Sequence, residues 1–291
     1  MTGGTLIYCL GGGLGHFTRS WAITRSSSAL RAPFHYLVSP GISEIVSSAV
    51  PPQSLTELPT TAATNADLTE AWVNERISRR QPECLVVDCF PFGIFGELAD
   101  LLHGCSVRDI RCLHTARRLR RFPPLPRILR PVFHSSLVTE PLSQPHKQLL
   151  GRISRSIEAV PLNYPNPSVP SGVVNKETCL VVHSGPMKEN LLLLEYAEKT
   201  ADPTDPILFL TRPQYLEQFP VFQRLEVKSL YPAWPLFPVV KTIVTAGGFN
   251  SHRQALPFAE KHHTLKMERR FDDQQSRCRN ASLSSIAPEE T

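Results

Sequence analysis

Leu6-Ile7-Tyr8-Cys9-Leu10-Gly11-Gly12-Gly13-Leu14-Gly15-His16 is the stretch that decides the fold. A short apolar run breaks into glycines and re-enters a helix-like segment from Phe17 to about Leu30, which is the opening of a βα unit. Glycine suits a turn whose backbone angles a side chain would forbid, and its missing Cβ lets a ligand come close to the chain. The helix that follows offers free N–H groups and a partial positive charge at its start. His16 is the one side chain of the loop that exchanges a proton near neutral pH.

A dinucleotide fingerprint, Gly-x-Gly-x-x-Gly, would place a third glycine where His16 stands and an acid about 20 residues further on, after a second strand. The second strand-like run, Phe34 to Val38, instead ends in Ser39-Pro40-Gly41. A nicotinamide enzyme is therefore not expected. The loop is either a ligand-facing turn carrying an acid–base histidine or a tight strand-to-helix turn with a polar residue at the helix start.

Outward from that loop the same rhythm repeats. Strand-like runs at Leu6–Leu10, Phe34–Val38, Cys84–Asp88, Asp109–Leu113 and Ser136–Thr139 alternate with helical spacing at 67–80 and, from Glu97 to Leu102, with part of a second crossover helix. Alternation of this kind predicts a parallel sheet. Pro161 to Gly172 then carries four prolines in ten residues, Pro161, Pro165, Pro167 and Pro170, which precludes helix and interior strand and suits an extended linker. Beyond it, Thr178–His183, Ile207–Thr211, Leu225–Leu230, Thr242–Thr245 and His263–Met267 read as strands. Glu189–Lys199, Phe249–Leu256 and Asp272–Arg279 read as helices, and the last dozen residues read as frayed. The expected architecture is α/β, with two doubly wound Rossmann-like domains facing a cleft: residues 1–160, a Pro-rich linker at 161–176, and residues 177–291.

A chain of 291 residues has room for two such cores. All of the net charge of +5 lies before residue 161, where seventeen Lys and Arg face twelve Asp and Glu. Seven of those arginines fall between Arg111 and Arg130, with no acid from Ile110 to Thr139. The segment Arg117–Arg130 is either a solvated face or a surface for anionic lipid or phosphate, a peripheral membrane contact. Seven cysteines show no Cys-x-x-Cys pair and no metal spacing, and several sit in strand-like runs, as in a reducing compartment. No stretch reaches the roughly 18 apolar residues of a membrane span, and the start of the chain lacks a secretory pattern. The expectation is a cytoplasmic protein, with no metal and no nucleic-acid partner.

In doubly wound sheets ligands bind beyond the carboxyl ends of strands, which makes four loops candidates. The first is Gly11–His16. The second, Asp88-Cys89-Phe90-Pro91-Phe92-Gly93, puts an acid at a strand end and is either a turn-forming Asp or a ligand contact. The third, His183-Ser184-Gly185-Pro186, is either a strand-exit turn or a hydroxyl and amide for phosphate. The fourth is Thr245-Ala246-Gly247-Gly248-Phe249-Asn250-Ser251, where a buried strand delivers two glycines to a helix start, with Asn250 and Ser251 placed to cap it or to donate to an anion. It is not a Walker A loop, because no Gly-Lys-Ser/Thr follows.

Taken in order, the glycine loop ending in His16, the Pro-rich linker, Thr245–Ser251, and Arg270-Phe271-Asp272-Asp273-Gln274-Gln275 resemble the GT-B nucleotide-sugar glycosyltransferases. They are most similar to the family of the bacterial lipid-linked peptidoglycan N-acetylglucosaminyltransferase, glycosyltransferase family 28. The resemblance implies that the C-terminal domain holds a nucleotide-diphosphate sugar, UDP-linked. Gly247, Gly248, Phe249, Asn250 and Ser251 would bind the diphosphate, and His183, Ser184 and Gly185 would face the donor phosphates. Tyr231 would lie near the base, Arg212 would neutralise the leaving group, and Asp272, Asp273, Gln274 and Gln275 would hold sugar hydroxyls. Gly13, Gly15 and Asp88 match the acceptor side, with His16 the general base. Hexose or N-acetylhexosamine transfer to an acceptor hydroxyl would be inverting and metal-independent, since no Asp-x-Asp occurs. Two departures stand out: Gln254 occupies a position where many relatives carry an acid for the ribose, and the chain stops soon after Asn280. A catalytically silent nucleotide-sugar-binding protein and a sugar-nucleotide epimerase are the alternatives.

Overall fold

The computed structural model describes residues 3–168 and 172–278. The middle of the expected linker, Val169–Ser171, the end of the expected last helix at Arg279, and the final dozen residues lie outside the described residues. By contact density the described chain divides into two compact units, Met1–Pro165 together with Arg270–Asp272, and Asn166–Arg269 together with the residues from Asp273 onward.

The first unit runs β1 (Thr5–Tyr8), α1 (Leu14–Ser26), β2 (Phe34–Val38), α2 (Ile42–Val46), β3 (Leu55–Glu57), α3 (Ala66–Arg80), β4 (Cys84–Asp88), α4 (Ala99–Val107), β5 (Arg111–Ala116), β6 (Phe133–Val138), α5 (Gln144–Ile153) and β7 (Ser154–Ala159). Its seven strands form one parallel sheet in the order β3-β2-β1-β4-β5-β6-β7. The second unit runs β8 (Cys179–Val182), α6 (Met187–Thr200), β9 (Ile207–Leu210), β10 (Leu225–Lys228), β11 (Thr242–Ala246), α7 (Phe249–Ala255) and β12 (His262–Leu265). Its five strands are also all parallel, in the order β10-β9-β8-β11-β12. Two parallel α/β sheets are thus present, as the alternating pattern predicts.

Strands sandwiched between helix layers bury both faces, and that is why the central ones read as unbroken apolar runs. Every residue of β1, β4, β9 and β11 is buried. The crossover helix α3 shows how the sequence builds such a layer. Asn65 accepts from the N–H of Leu68 at 3.0 Å to cap it, Thr69, Trp72, Val73 and Ile77 fall on the buried face, and Gln81 ends it in left-handed backbone at φ +46. Each fully buried apolar side chain on that face contributes about 1.5–3 kcal/mol.

Strand order reverses between β1 and β4 in the first unit and between β8 and β11 in the second. The crevices at such switch points are where open sheets receive ligands. The loops after these four strands are the four that the sequence singles out. Helix α1 begins at Leu14, three residues before the expected start, so His16 lies in its first turn rather than in the loop. Among the described residues, no helix is long and apolar enough to cross a membrane.

Candidate functional site

In the first unit, a buried charge cluster stands at the carboxyl ends of β1 and β4. Asp88, the last residue of β4, is fully buried. Its Oδ1 accepts from Arg19 Nε at 2.7 Å, and its Oδ2 accepts from Arg19 Nη2 at 2.5 Å and from His16 Nδ1 at 2.8 Å. His16 and Arg19 are three residues apart on α1, so both project from one face toward the carboxylate. Burial alone would raise the Asp88 carboxyl, but the Arg19 guanidinium and the His16 hydrogen bond outweigh it and hold the group below the ordinary carboxylate range. Asp88 is therefore an anion that only accepts. His16 must carry its proton on Nδ1, which leaves the Nε2 lone pair available. Burial also pushes the His16 imidazole below its ordinary pKa, against the pull of Asp88 and with help from Arg19 and Arg117, so the ring is neutral.

The glycine loop exists to seat that ring. A Cβ on Gly11 would lie 2.2 Å from both Cδ2 and Nε2 of His16, a distance real Cβ atoms do not adopt. Ser39, at the end of β2, clamps the loop from the other side: Gly11 N donates to Ser39 Oγ, and Ser39 Oγ donates to Gly11 O, both at 2.8 Å. Gly13 is the extended N-cap of α1 and Gly15 lies in its first turn. Phe90 packs its ring 5.4 Å from that of His16, after a sharp turn at Cys89, whose φ is +67.

Arg117, just past β5, is buried, and this corrects the expectation that the whole Arg117–Arg130 segment lies on a surface. Its Nη1 donates to Asp272 and to the carbonyl of Arg118. Arg120, Arg121, Arg127 and Arg130 are exposed. Asp272 belongs with this first unit, where it forms a β-bridge to Leu119 beside the Phe271–Phe90 ring contact. It stands as the counter-ion of Arg117, apart from Asp273, Gln274 and Gln275, which fall in the second unit. Gln274 Oε1 is already used by the N–H of Met267 at 3.0 Å, and Asp273 accepts from Ser276 N.

The second unit builds a comparable cluster at the end of β8. His183 Nε2 lies 2.8 Å from Glu189 Oε2, and Arg269 clamps both oxygens of the same carboxylate. Burial would raise Glu189, yet the His183 and Arg269 hydrogen bonds bring it down to about 2. Here too a glycine makes room, since a Cβ on Gly185 would sit 2.2 Å from His183 Nε2 and 2.6 Å from Glu189 Oε2. Asn190, the next residue on α6, donates to Thr211 Oγ1 at 3.1 Å at the end of β9, beside Arg212. Ser184 is half-buried.

Beyond β11, Gly248 N donates to Ala246 O at 2.7 Å, and the chain enters α7 with Phe249 and Asn250 buried and Ser251 half-buried. Gly247 approaches the C-terminal segment closely enough that a Cβ would meet Cys278 Sγ at 2.6 Å. Thr245 Oγ1 donates to Ala246 O and accepts from His262 Nε2 at 2.8 Å, which fixes the strand end. Gln254 Nε2, on α7, is buried with no hydrogen-bond partner among the described residues. Tyr231 is buried, edge-on to Trp234.

The structure therefore assembles His16 with Asp88 in one unit, and His183, Gly185 and the turn after β11 at the switch point of the other. Sequence reasoning missed Arg19, Glu189 and Arg269. Arg19 carried a readable signal, an arginine amid Phe17, Trp21, Ala22 and Ile23 in a helical stretch that is buried from His16 to Ile23, since a buried cation demands a carboxylate. Glu189 and Arg269 are far apart in sequence and gave none. Among the described residues, no group of three or more His, Cys, Asp or Glu side chains is placed to hold a metal.

No known protein family matches the sequence, and no curated protein does. Solved structures do share the fold. The spinosyn forosaminyltransferase SpnP is similar at a TM-score of 0.57 and 14% identity, over 97% of this chain and 84% of that one. The glycosyltransferase SnogD from Streptomyces nogalater gives 0.51 and 13%, over 98% and 85%. The UDP-GlcNAc 2-epimerase of Methanocaldococcus jannaschii, solved with UDP-GlcNAc and UDP, gives 0.55 and 12%, over 98% and 93%. At these identities the likeness establishes the fold, a two-unit Rossmann-like arrangement of the GT-B kind.

Proposed function

We propose that the protein is a nucleotide-sugar glycosyltransferase in which His16 is the general base. The observation that carries this reading is the His16–Asp88–Arg19 cluster: a neutral imidazole, fixed by a buried carboxylate through Nδ1, with Nε2 left to accept a proton. Deprotonating an acceptor hydroxyl as it attacks a sugar carbon needs a base of this kind, and the proton taken by Nε2 makes an imidazolium that Asp88 stabilises. Asp88 holds its own charge throughout because Arg19 neutralises it. The attacking oxygen forms the new bond to the anomeric carbon as the bond to the nucleoside diphosphate breaks.

In this reading the second unit holds the donor, a UDP-linked hexose or N-acetylhexosamine. The amides of the turn at Gly247–Ser251 and of Gly185, with Arg212, would meet the diphosphate. The orphan amide donor of Gln254 would meet a ribose oxygen where an acid is the commoner choice, and its buried, unsatisfied state supports that role. His183 is held by Glu189 beside the phosphates. Asp273 and Gln275 remain candidates for sugar hydroxyls, whereas Asp272 and Gln274 have partners of their own. The exposed Arg120, Arg121, Arg127 and Arg130, next to the exposed Ile128, suit an acceptor presented at an anionic membrane surface, as for a lipid-linked sugar in the cytoplasm.

An epimerase acting on the nucleotide sugar itself is the second reading. It is favoured by a second histidine, His183, held by the Glu189 carboxylate at the switch point of the second unit, and by the epimerase among the structures of the same fold. Calorimetry with UDP and UDP-GlcNAc tests the shared premise, and product analysis separates the two: UDP release with a glycoside formed supports transfer, whereas a C2-inverted UDP-sugar supports epimerisation. Binding without turnover would identify a silent binder, and no binding of either nucleotide would overturn all three.

A further inference from the structure

At the other end of the first sheet, away from His16 and Asp88, lies a cavity of about 480 Å³. It is roofed by α1 and floored by the amino-terminal ends of β1 and β2, with Trp21, Phe34, Tyr36, Val50 and Pro51 supplying much of its wall. Its size lies within the roughly 300–1,000 Å³ typical of small-molecule pockets, and such a mostly apolar wall with a few polar groups is the usual composition.

Basic groups gather at one side. Arg80 lines this cavity and also a second space of about 340 Å³, which it shares with Arg76, Arg79 and Thr56. Among the described residues these three guanidinium groups have one carboxylate, Glu75, which lies 2.6 Å from Arg79 and 3.4 Å from Arg76, and Arg76 also lies over the Trp72 ring at 5.5 Å. Arg80 has no hydrogen-bond or ion-pair partner among the described residues, and Arg76 Nε is buried without one. His35, between the cavity and Thr56, is uncharged: burial, and then Arg80, lowers it to about 4. Side chains of this sort at a helix end answer the helix dipole. That accounts for the cations of the last turn, Arg79 and Arg80, but not for the buried, unsatisfied Nε of Arg76 in the second space beside like-charged Arg80.

We propose that this cavity binds an anionic amphiphile, its apolar body among Trp21, Phe34, Tyr36 and Val50 and its phosphate or carboxylate head on Arg80 and Arg76. Bidentate guanidinium contacts complete the counter-ion that the cluster lacks. The site stands independently of the nucleotide-sugar reading, because none of its residues belongs to the loops at the switch points. A membrane lipid and a free acyl or prenyl phosphate present the same chemistry.

The test uses the full chain. Decyl phosphate below its micellar concentration is titrated calorimetrically and by tryptophan fluorescence, with inorganic phosphate and a neutral decyl ether as controls. The expected result is saturable binding of decyl phosphate that is at least about tenfold weaker in Arg80→Ala, the loss of a charged hydrogen-bond partner, and absent in Ala49→Trp, which fills the cavity. Both variants change half-exposed positions, and unchanged melting temperatures certify their fold. Vesicles of phosphatidylcholine with and without phosphatidic acid identify the source: Arg80-dependent cosedimentation with the anionic vesicles assigns a bilayer lipid, and binding of the monomeric phosphate alone assigns a free amphiphile. Absence of decyl phosphate binding, or binding indifferent to both substitutions, overturns the proposal.

Discussion

Asp88 is the most constrained group of the His16 cluster, and Asp88→Asn removes its charge while keeping its shape. The carboxylate is fully buried and accepts three hydrogen bonds, two from Arg19 and one from His16. The amide keeps the shape but loses the charge, so Arg19, itself 2% exposed, becomes a buried cation without a counter-ion. Breaking one side of a buried ion pair costs about 3–5 kcal/mol. In a unit of this size each kcal/mol lowers the melting temperature by about 2–4 °C, so the variant should melt roughly 6–20 °C lower. Arg19→Met combined with Asp88→Asn removes both charges and should be less destabilised than the sum of the two single changes. The amide NH₂ would also donate to His16 Nδ1 and move the ring proton to Nε2, with transfer falling about 10²–10⁴-fold. Thermal melts of the three variants together with UDP-release rates are the assay. A melting temperature for Asp88→Asn within about 3 °C of the parent would mean that the buried Arg19–Asp88 pair does not exist as described.

Gly11→Ala should displace the His16 ring and lower turnover by about 10²-fold with little change in nucleotide binding, since reactive geometry tolerates little misplacement; unaffected turnover would show that the ring is not seated by the loop. Gly185→Ala should disturb the His183–Glu189 contact and weaken UDP binding measured by calorimetry, while leaving the His16 environment intact. Stability should also fall in acid. His35, His114, His146 and His262 are held near 4 in the folded chain against an unfolded value near 6.5, with burial the first cause in each. The unfolded state therefore binds more protons between about pH 4 and 6.5, and each histidine lowers stability by up to about 1.4 kcal/mol per pH unit as pH drops through that window. Chemical denaturation at pH 7.5, 6 and 5 should show that decline, and a flat profile would contradict the neutral buried histidines.

The central strands were legible because a parallel sheet between two helix layers demands unbroken apolar runs, and Leu6–Leu10, Cys84–Asp88 and Ile207–Thr211 supply them. The two edge strands of the first sheet were not. β3 is three residues long and follows the Pro51-Pro52 pair, while β7, Ser-Arg-Ser-Ile-Glu-Ala, is exposed after its first residue. An edge strand needs no apolar run, and these two carry only a loop-like signal, whereas β10 and β12 at the edges of the second sheet were readable. Helix α5 was overlooked although it was readable, with Pro145 in its first turn and His146, Leu149, Leu150 and Ile153 on one face. At the candidate site, glycine turns and polar strand ends gave the positions of His16, Asp88, His183 and Gly247. The partners that decide what those groups can do, Arg19 for Asp88 and Arg269 for Glu189, follow from tertiary packing. The same holds for Arg117, which reads as one more surface cation in a basic run until the fold buries it against Asp272.

Nitrogen NMR of the His16 imidazole at neutral pH, assigned by its loss in His16→Ala, reads the protonation of the ring nitrogens on which the general-base role depends. The ring is expected to be neutral, with the proton on Nδ1, hydrogen-bonded to Asp88, and Nε2 unprotonated. A proton on Nε2, or an imidazolium at pH 7, would contradict that role.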